Sequence, residues 1–512
     1  MTELRRIAAT PPTAQNGSKG LAGGQLGLIA VIVIGISTIA PAYVLTSTLG
    51  PTVQAVGTHI PAIFIVGFIP MFLVALGYRE LNADTPDSGT TFTWVTKAFG
   101  PFVGWMGGWG LLAANIIVLS NLAGVAVDFF YLFLSQLTGI PMLTDLAENK
   151  AVNVLTCLVF VGLAVWVSSR GVRTTKTVQY VLVIFQLVIL AWFVVGALSK
   201  IGTIPDAEPL AFSWEWFNPF GIDSFSAFAA GLSLSIFAFW GWDVCLTVNE
   251  ETTNGKKTAG VAAWVTAAAV LVIYLLGSVA TVMFAGIGDT GLGLNNPEIS
   301  ENVFTAIAGP VMGPFAILLS LAVLSSCASS LQSTMISPAR SLLAMGYYKA
   351  LPERFAHVHP RFKSPVFTTV IAGGVSAGFY TVMRFVSDNV LNDTIMALGL
   401  MICFYYGLTA LACVWYFRRT ALESVRGFLF RLLFPLLGGL ALAVVFFQTA
   451  VDSWNPAFGS GSEVFGVGLV FVIGVGLIAL GLIVMLLMYR KRPEFFQGKV
   501  IEDKTPVLVL PE

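Results

Sequence analysis

Residues 26–45 read LGLIAVIVIGISTIAPAYVL. A helix needs about 20 apolar residues to cross the hydrocarbon of a bilayer, and this stretch holds no charge. Gly35 and Pro41 bracket two hydroxyl residues inside it, Ser37 and Thr38, and Pro41 lacks the N–H of a helical hydrogen bond. A second stretch, FWGWD at 239–243, sets a glycine and a carboxylate among bulky aromatics in another apolar run. Within a membrane, backbone released from helical bonding is tolerated only where it lines a cavity or is buried in protein. Two interrupted segments at matching places in two halves of a chain point to a transport site near the midplane. Taken singly, each break also fits the ordinary use of glycine and proline in membrane helices; the pair favours the site.

The rest of the 512-residue chain is of the same kind. Hydrophobic residues make up 56% and charged residues 11%, where a soluble domain carries about 25% charged residues. Mean hydropathy is +0.84. Such a chain cannot cover itself with polar surface, which excludes a soluble multidomain enzyme. Zero net charge gives no basic face for nucleic acid. The five cysteines (Cys157, Cys245, Cys327, Cys403 and Cys413) all lie in apolar stretches, as free thiols behaving like small hydrophobes. His59, His357 and His359 fall in loops without a zinc-like cluster. There is no nucleotide loop or hydrolytic constellation, so no catalytic residue, metal or cofactor is expected.

Twelve spans are expected, at 26–45, 60–77, 103–134, 151–169, 177–199, 225–247, 259–286, 311–344, 366–385, 394–417, 428–449 and 464–489. With both ends inside the cell, 24 of the 27 Lys and Arg fall in cytoplasmic segments, as membrane topology demands. Lys150, Lys200 and Arg384 remain outside. The fold class is therefore all-α integral membrane, multi-pass in the cell membrane and surrounded by lipid. Breaks in spans one and six suggest a five-plus-five inverted repeat with two extra helices. The division is a tail at 1–25, a core at 26–420 whose halves run about 26–199 and 225–417, two further helices at 428–489, and a short, mobile tail at 490–512. Trp214 and Trp216, near the end of the longest outer loop, are expected at the headgroup interface.

Several motifs lie at the expected cytoplasmic ends. After span two come Tyr78-Arg79-Glu80-Leu81, Pro86-Asp87-Ser88-Gly89, Thr93-Trp94-Val95, Gly100-Pro101 and Gly108-Trp109. Asn249-Glu250-Glu251-Thr252-Thr253-Asn254 follows span six; Arg340, Gly346, Leu351-Pro352, Phe355, His359 and Pro365 follow span eight. In this order they resemble the amino acid–polyamine–organocation superfamily of permeases, over about residues 25–420. The resemblance implies the inverted-repeat fold and secondary transport of amino acids or related amines by alternating access. Two departures stand out. Many members have a glycine-rich first break that receives a carboxylate, where this chain has Ile36, Ser37 and Thr38. Some proton-coupled members carry a lysine midway along span five, where the alignment places Gln186.

The candidate substrate-binding residues are Gly35, Ile36, Ser37 and Thr38 with Phe239, Trp240, Gly241, Trp242 and Asp243. An intramembrane carboxylate is costly unless paired or hydrated, so Asp243 either meets a substrate ammonium, carries a coupling proton, or caps the restarting half-helix. Trp240 and Trp242 form an aromatic wall or pack in the core; the resemblance implies an aromatic gate near this break, with Phe239 or Trp240 as its expected holder. Ser325, Ser326, Ser329 and Ser330 share one face of span eight, either for close helix packing or as oxygen ligands of sodium beside the first break. Asp128 is read as a snorkelled interface residue, Asn115 and Asn121 as helix-to-helix glue, and Glu250-Glu251 with Lys256-Lys257 as a solvated loop or, with Arg79 or Arg340, a gate. The first expectation is proton symport or exchange of an amino acid by a monomer or homodimer. A polyamine or organic-amine permease and a sodium-coupled symporter are alternatives, and a membrane receptor is a remoter one.

Overall fold

A computed structural model describes residues 19–299, 302–386 and 390–501. Arg5, Arg6 and Lys504, three of the charges used above, lie outside those residues. Among the described residues the architecture is helical apart from one small hairpin, β1 (Glu463–Val464) and β2 (Val467–Gly468), in which Glu463 faces Gly468. Ten segments are long and apolar enough to cross a membrane.

The first half comprises α1 (Leu28–Ile39), α2 (Pro41–Val56), α3 (Ile60–Asp84), α4 (Thr91–Phe99), α5 (Pro101–Thr138), α6 (Lys150–Ser169) and α7 (Val172–Ser199). The second comprises α8 (Phe225–Ala238), α9 (Val244–Thr247), α10 (Gly255–Ala285), α11 (Val303–Met312), α12 (Ala316–Thr334), α13 (Ile336–Tyr347), α14 (Val366–Val386) and α15 (Val390–Tyr416). Then follow α16 (Phe434–Asp452), α17 (Leu469–Lys491) and α18 (Pro493–Phe496). The span read at 311–344 is preceded by α11, passes a 3₁₀ turn at Gly313–Phe315 and runs on through α12 and α13 as part of one apolar segment, Val303–Tyr347.

The most apolar stretches of α5 and α15 are 72% and 78% buried, whereas that of α6 is 22% buried. So α5 and α15 belong to the centre of the bundle, and α6 turns Leu155, Val159, Leu163 and Trp166 outward. In water such a face would drive aggregation; in a bilayer it meets acyl chains. The five cysteines are free and buried.

Two tail and loop expectations change. Among the described residues, the chain directly after Arg492 is folded against the bundle: it forms α18, whose Phe495 and Phe496 are buried. Phe495 stacks on Phe92 of α4 at 5.5 Å and Phe496 meets Trp105 of α5 at 5.8 Å; burial of the two aromatic side chains offsets part of the chain entropy lost in docking the segment. Trp214 is 78% exposed, but Trp216 is only 5% exposed and packs within the fold.

Candidate functional site

The first break falls at Ala40 rather than across Gly35–Thr38. Ala40 sits in the left-handed region at φ 58°, and its N–H still reaches the Ile36 carbonyl. Ile36, Ser37 and Thr38 remain helical. The helix restarts with Pro41 at its first position, so the amides of Ala42 and Tyr43 have no carbonyl one turn behind them. The Tyr43 amide donates to Ser326 Oγ at 3.4 Å. Gly35 serves packing: a Cβ there would lie 2.6 Å from Cys245 Sγ.

The second break spans Phe239–Asp243 between α8 and α9. Gly241 takes φ +106°, a conformation that side-chain-bearing residues rarely adopt. A Cβ on Gly241 would stand 3.0 Å from Thr38 Cγ2, so the two breaks face each other directly. The Ala238 carbonyl, freed where α8 ends, accepts from Tyr274 of α10 at 2.7 Å.

Asp243 is buried and does not cap α9 with its side chain. Two neighbouring tyrosines of α15 hold it instead. Tyr406 donates to Oδ1 at 2.8 Å and Tyr405 to Oδ2 at 3.3 Å. Tyr405 in turn accepts from Trp240 Nε1 at 2.6 Å, and Tyr406 lies 3.4 Å from the donating Gly241 amide. Carboxylate, phenols and break backbone thus form one connected network. Trp242 stacks on Tyr406 at 4.8 Å, and its buried Nε1 has no hydrogen-bond partner. Phe239 is fully buried among Phe64, Phe68 and Tyr274.

On α12, Ser330 donates to the Thr38 carbonyl at 2.8 Å. Ser37 shares a hydrogen bond of 3.1 Å with Ser333, and Thr38 Oγ1 lies 3.0 Å from the same hydroxyl. Ser325 and Ser329 donate to carbonyls of their own helix. The seam against the first break is therefore made by Ser326, Ser330 and Ser333, the last of which the sequence reading passed over. Gln186 is fully buried on α7, and neither end of its amide has a partner.

Glu250 and Glu251 are buried rather than solvated, while Lys256 and Lys257 stay exposed. Lys19 inserts between Asp87 and Glu250, at 2.8 and 2.6 Å, with no exposed side-chain surface of its own. Tyr348 donates to Asp87 at 2.6 Å, and the Ser88 amide to Glu250 at 2.8 Å. Arg340 pairs with Glu251; Arg79 instead lies over the Phe430 ring. Burial pulls the Lys19 ammonium downward, but Asp87 and Glu250 together hold it above its ordinary 10.5. Burial likewise pushes Asp87 upward, but Lys19, Tyr348 and the Gly89 amide outweigh it and hold that carboxyl below 3.8. For Glu251 burial prevails over Arg340 and raises the carboxyl above 4.5.

At the opposite end of the bundle lies a cavity of about 800 Å³. Thr46, Gln54, Asn121, Asp128, Tyr380 and Arg384 are among its lining residues. Asp128 is thus placed at a cavity and not simply at a lipid interface. Asn121 accepts from Thr394 of α15 at 2.6 Å, the interhelical role expected of it; Asn115 donates within its own helix. On α2 and α8 the lining residues closest in sequence to the breaks are Thr46 and Leu234. One turn nearer the breaks, Tyr43 and Phe237 meet edge to face at 6.4 Å.

The family model described as amino acid permease matches residues 26–478. Over 379 residues the chain is 26% identical to the methylthioribose transporter of Bacillus subtilis (strain 168), covering 72% of this chain and 76% of that one. It is 24% identical over 380 residues to the branched-chain amino acid permease BcaP of the same organism, covering 71% and 76%. It is 21% identical over 433 residues to the low-affinity putrescine importer PlaP of Escherichia coli (strain K12), covering 82% and 87%.

Proposed function

The chain belongs to the amino acid permease family, a family of transporters and not of enzymes, and on that premise we propose that it is a secondary active carrier of α-amino acids working by alternating access. That it moves amino acids or amines follows from the family and its relatives. The choice of an amino acid rests on the facing breaks. The start of α2 offers the Ala42 amide and the positive end of a helix dipole to a carboxylate, beside the Tyr43 amide that Ser326 already holds. Asp243, with its two phenols, offers a negative centre to the ammonium on the same carbon.

Twelve crossings accommodate the helices. The run Leu28–Asp84 is 57 residues long, about 86 Å if straight, and it turns at Gly57–His59, which makes it two crossings. The shorter helix α8 continues through its break into α9 as another. The inverted repeat then pairs α1–α2 through α7 with α8–α9 through α15, leaving α16 and α17 as the two additional helices. The Lys19 end is cytoplasmic and the cavity end external, in the cell membrane. Cysteines introduced at Asn254 and Lys363 should then react with an impermeant thiol reagent only from the cytoplasmic side, and one at Thr290 only from outside. Labelling of position 254 on intact cells would invert the assignment.

Closed at Lys19–Asp87–Glu250 and hollow at the other end, the molecule corresponds to the outward-facing half of the cycle. Asp243 is the carboxylate best placed to couple a proton, since Gln186 cannot titrate. The Asp243→Asn variant should lose pH-driven accumulation and keep partial exchange of preloaded substrate; unchanged pH-driven accumulation would sink the proton assignment. Sodium coupling would draw on Ser326, Ser330 and the Thr38 carbonyl, and its signature would be uptake that stops when sodium is withdrawn.

A further inference from the structure

We infer that the cavity above the breaks is a separate binding station for zwitterions, in which Asp128 receives the ammonium and Arg384 the carboxylate of an α-amino acid before it reaches the membrane centre. This rests on the permease reading and extends it to a second site.

The station is separate because of where the cavity ends. On α2 and α8 its lining residues closest in sequence to the breaks are Thr46 and Leu234. From Ala40 to Thr46 is six residues of chain, or about 9 Å along a helix. The Tyr43–Phe237 pair lies in that interval, and no residue from Gly35–Ala40 or Phe239–Asp243 lines the cavity. A solute entering from outside therefore meets these walls first.

The chemistry of the walls is bipolar. Asp128 of α5 and Arg384 of α14 both line the cavity, and Tyr380, whose hydroxyl donates to Asn153 at 2.5 Å, is within electrostatic reach of both charges. Asn121 is 2% exposed; its carbonyl end is used by Thr394, and its buried Nδ2 has no hydrogen-bond partner. Asn302 presents a buried Oδ1, also unpartnered. Both asparagines line the same space. The same space thus carries one cation and one anion (Arg384, Asp128) together with an unpartnered amide donor and an unpartnered amide acceptor (Asn121 Nδ2, Asn302 Oδ1). A polyamine would have use for the acceptors alone, and a carboxylic acid for the donors alone. An α-amino acid uses both, and 800 Å³ is well within the size of ordinary small-molecule sites.

The test is leucine and putrescine uptake into proteoliposomes by the full chain and by Asp128→Asn, Arg384→Gln and Asp128→Glu. Loss of a charge-assisted contact should raise KM for leucine about tenfold or more in the first two variants, with kcat near that of the parent, since the membrane-centre site is untouched. Asp128→Glu should restore most of the affinity. Any inhibition of leucine uptake by putrescine should survive Arg384→Gln, which removes only a carboxylate partner. A second readout guards against misfolding: a cysteine at the exposed wall residue Gln54 should react with an external thiol reagent, and leucine should slow that reaction in the parent but not in Arg384→Gln. Unchanged leucine KM and unchanged protection in both charge-removing variants would overturn the station while leaving the permease reading intact. Absence of leucine and putrescine uptake by the parent would count against that reading and take the station with it.

Discussion

Replacing Lys19 by Met should open the Lys19 end of the molecule. Lys19 Nζ lies 2.8 Å from Asp87 and 2.6 Å from Glu250, with these side chains 0–3% exposed. Methionine fills much of the same volume but leaves two carboxylates facing each other without a cation. Breaking a buried ion pair by removing one partner costs about 3–5 kcal/mol. That cost falls on the closed form alone, because in an opened form water solvates both carboxylates. At about 1.4 kcal/mol per decade, the ratio of closed to open molecules falls roughly 150- to 5,000-fold. Ser88 reports the change: it is fully buried, and its hydroxyl accepts from Lys19 at 3.3 Å. A cysteine there should react slowly with a maleimide in the parent and at least about a hundredfold faster beside Lys19→Met, where reclosure outpaces labelling. Equal labelling rates in two folded proteins would refute the lock. The pH dependence follows from the same groups. Lys19, held above 10.5, contributes fully below that value and is lost as pH rises through its higher folded value. Asp87, held below 3.8, contributes fully above that value and is lost as pH falls through its lower folded value. Their part of the lock should stay level between these limits.

Tyr406→Phe removes the shorter hydrogen bond to Asp243 and should cost about 1.5–3 kcal/mol of whatever state carries that carboxylate ionised, read as a shifted pH profile of transport. An unshifted profile would separate Asp243 from the coupling step. Gly241→Ala must hold φ +106° against a Cβ contact of 3.0 Å at Thr38; a strained backbone of this kind costs about 1–3 kcal/mol, and transport should fall with thermal stability. Wild-type activity would show that the breaks do not need this approach. Phe495→Ala empties a position against Phe92 and should destabilise by up to about 3–5 kcal/mol, visible as a lower unfolding midpoint; no change would return the C-terminal segment to the status of a loose tail.

How much of this was legible in the sequence depends on the range of the interaction. Gly241 and Asp243 mark the second break because a glycine and a charge inside an apolar run are local anomalies. Pro41 marks the first break closely, but the turning residue is Ala40, and a left-handed alanine carries no signature that distinguishes it from a helical one. The hydroxyl partners on α12 follow helical spacing as far as Ser330, yet the seam continues to Ser333, because where two helices touch depends on their relative rotation. Asp243 was found but its holders were not, although Tyr405 and Tyr406 are an unusual polar pair in an apolar span. The Lys19 lock reaches Ser88 and Glu250, 69 and 231 positions along the chain, as well as Asp87. Charges in loops look solvated until the fold shows which loops are stacked, and so Glu250 and Glu251 read first as a solvated loop and only second as a gate with Arg79 or Arg340, the latter being the partner that Glu251 in fact has. Phe495 and Phe496 lie outside any periodic segment, which is why a buried helix read as a tail.

The most direct test is accumulation in proteoliposomes holding the purified chain, with an inward proton gradient and labelled leucine, lysine and putrescine offered separately. At least one α-amino acid should accumulate above its external concentration, collapse when the gradient is dissipated, and be displaced by other α-amino acids. Strong uptake of putrescine, with no α-amino acid accumulating or competing at millimolar concentration, would contradict the amino acid assignment and leave an amine carrier in its place.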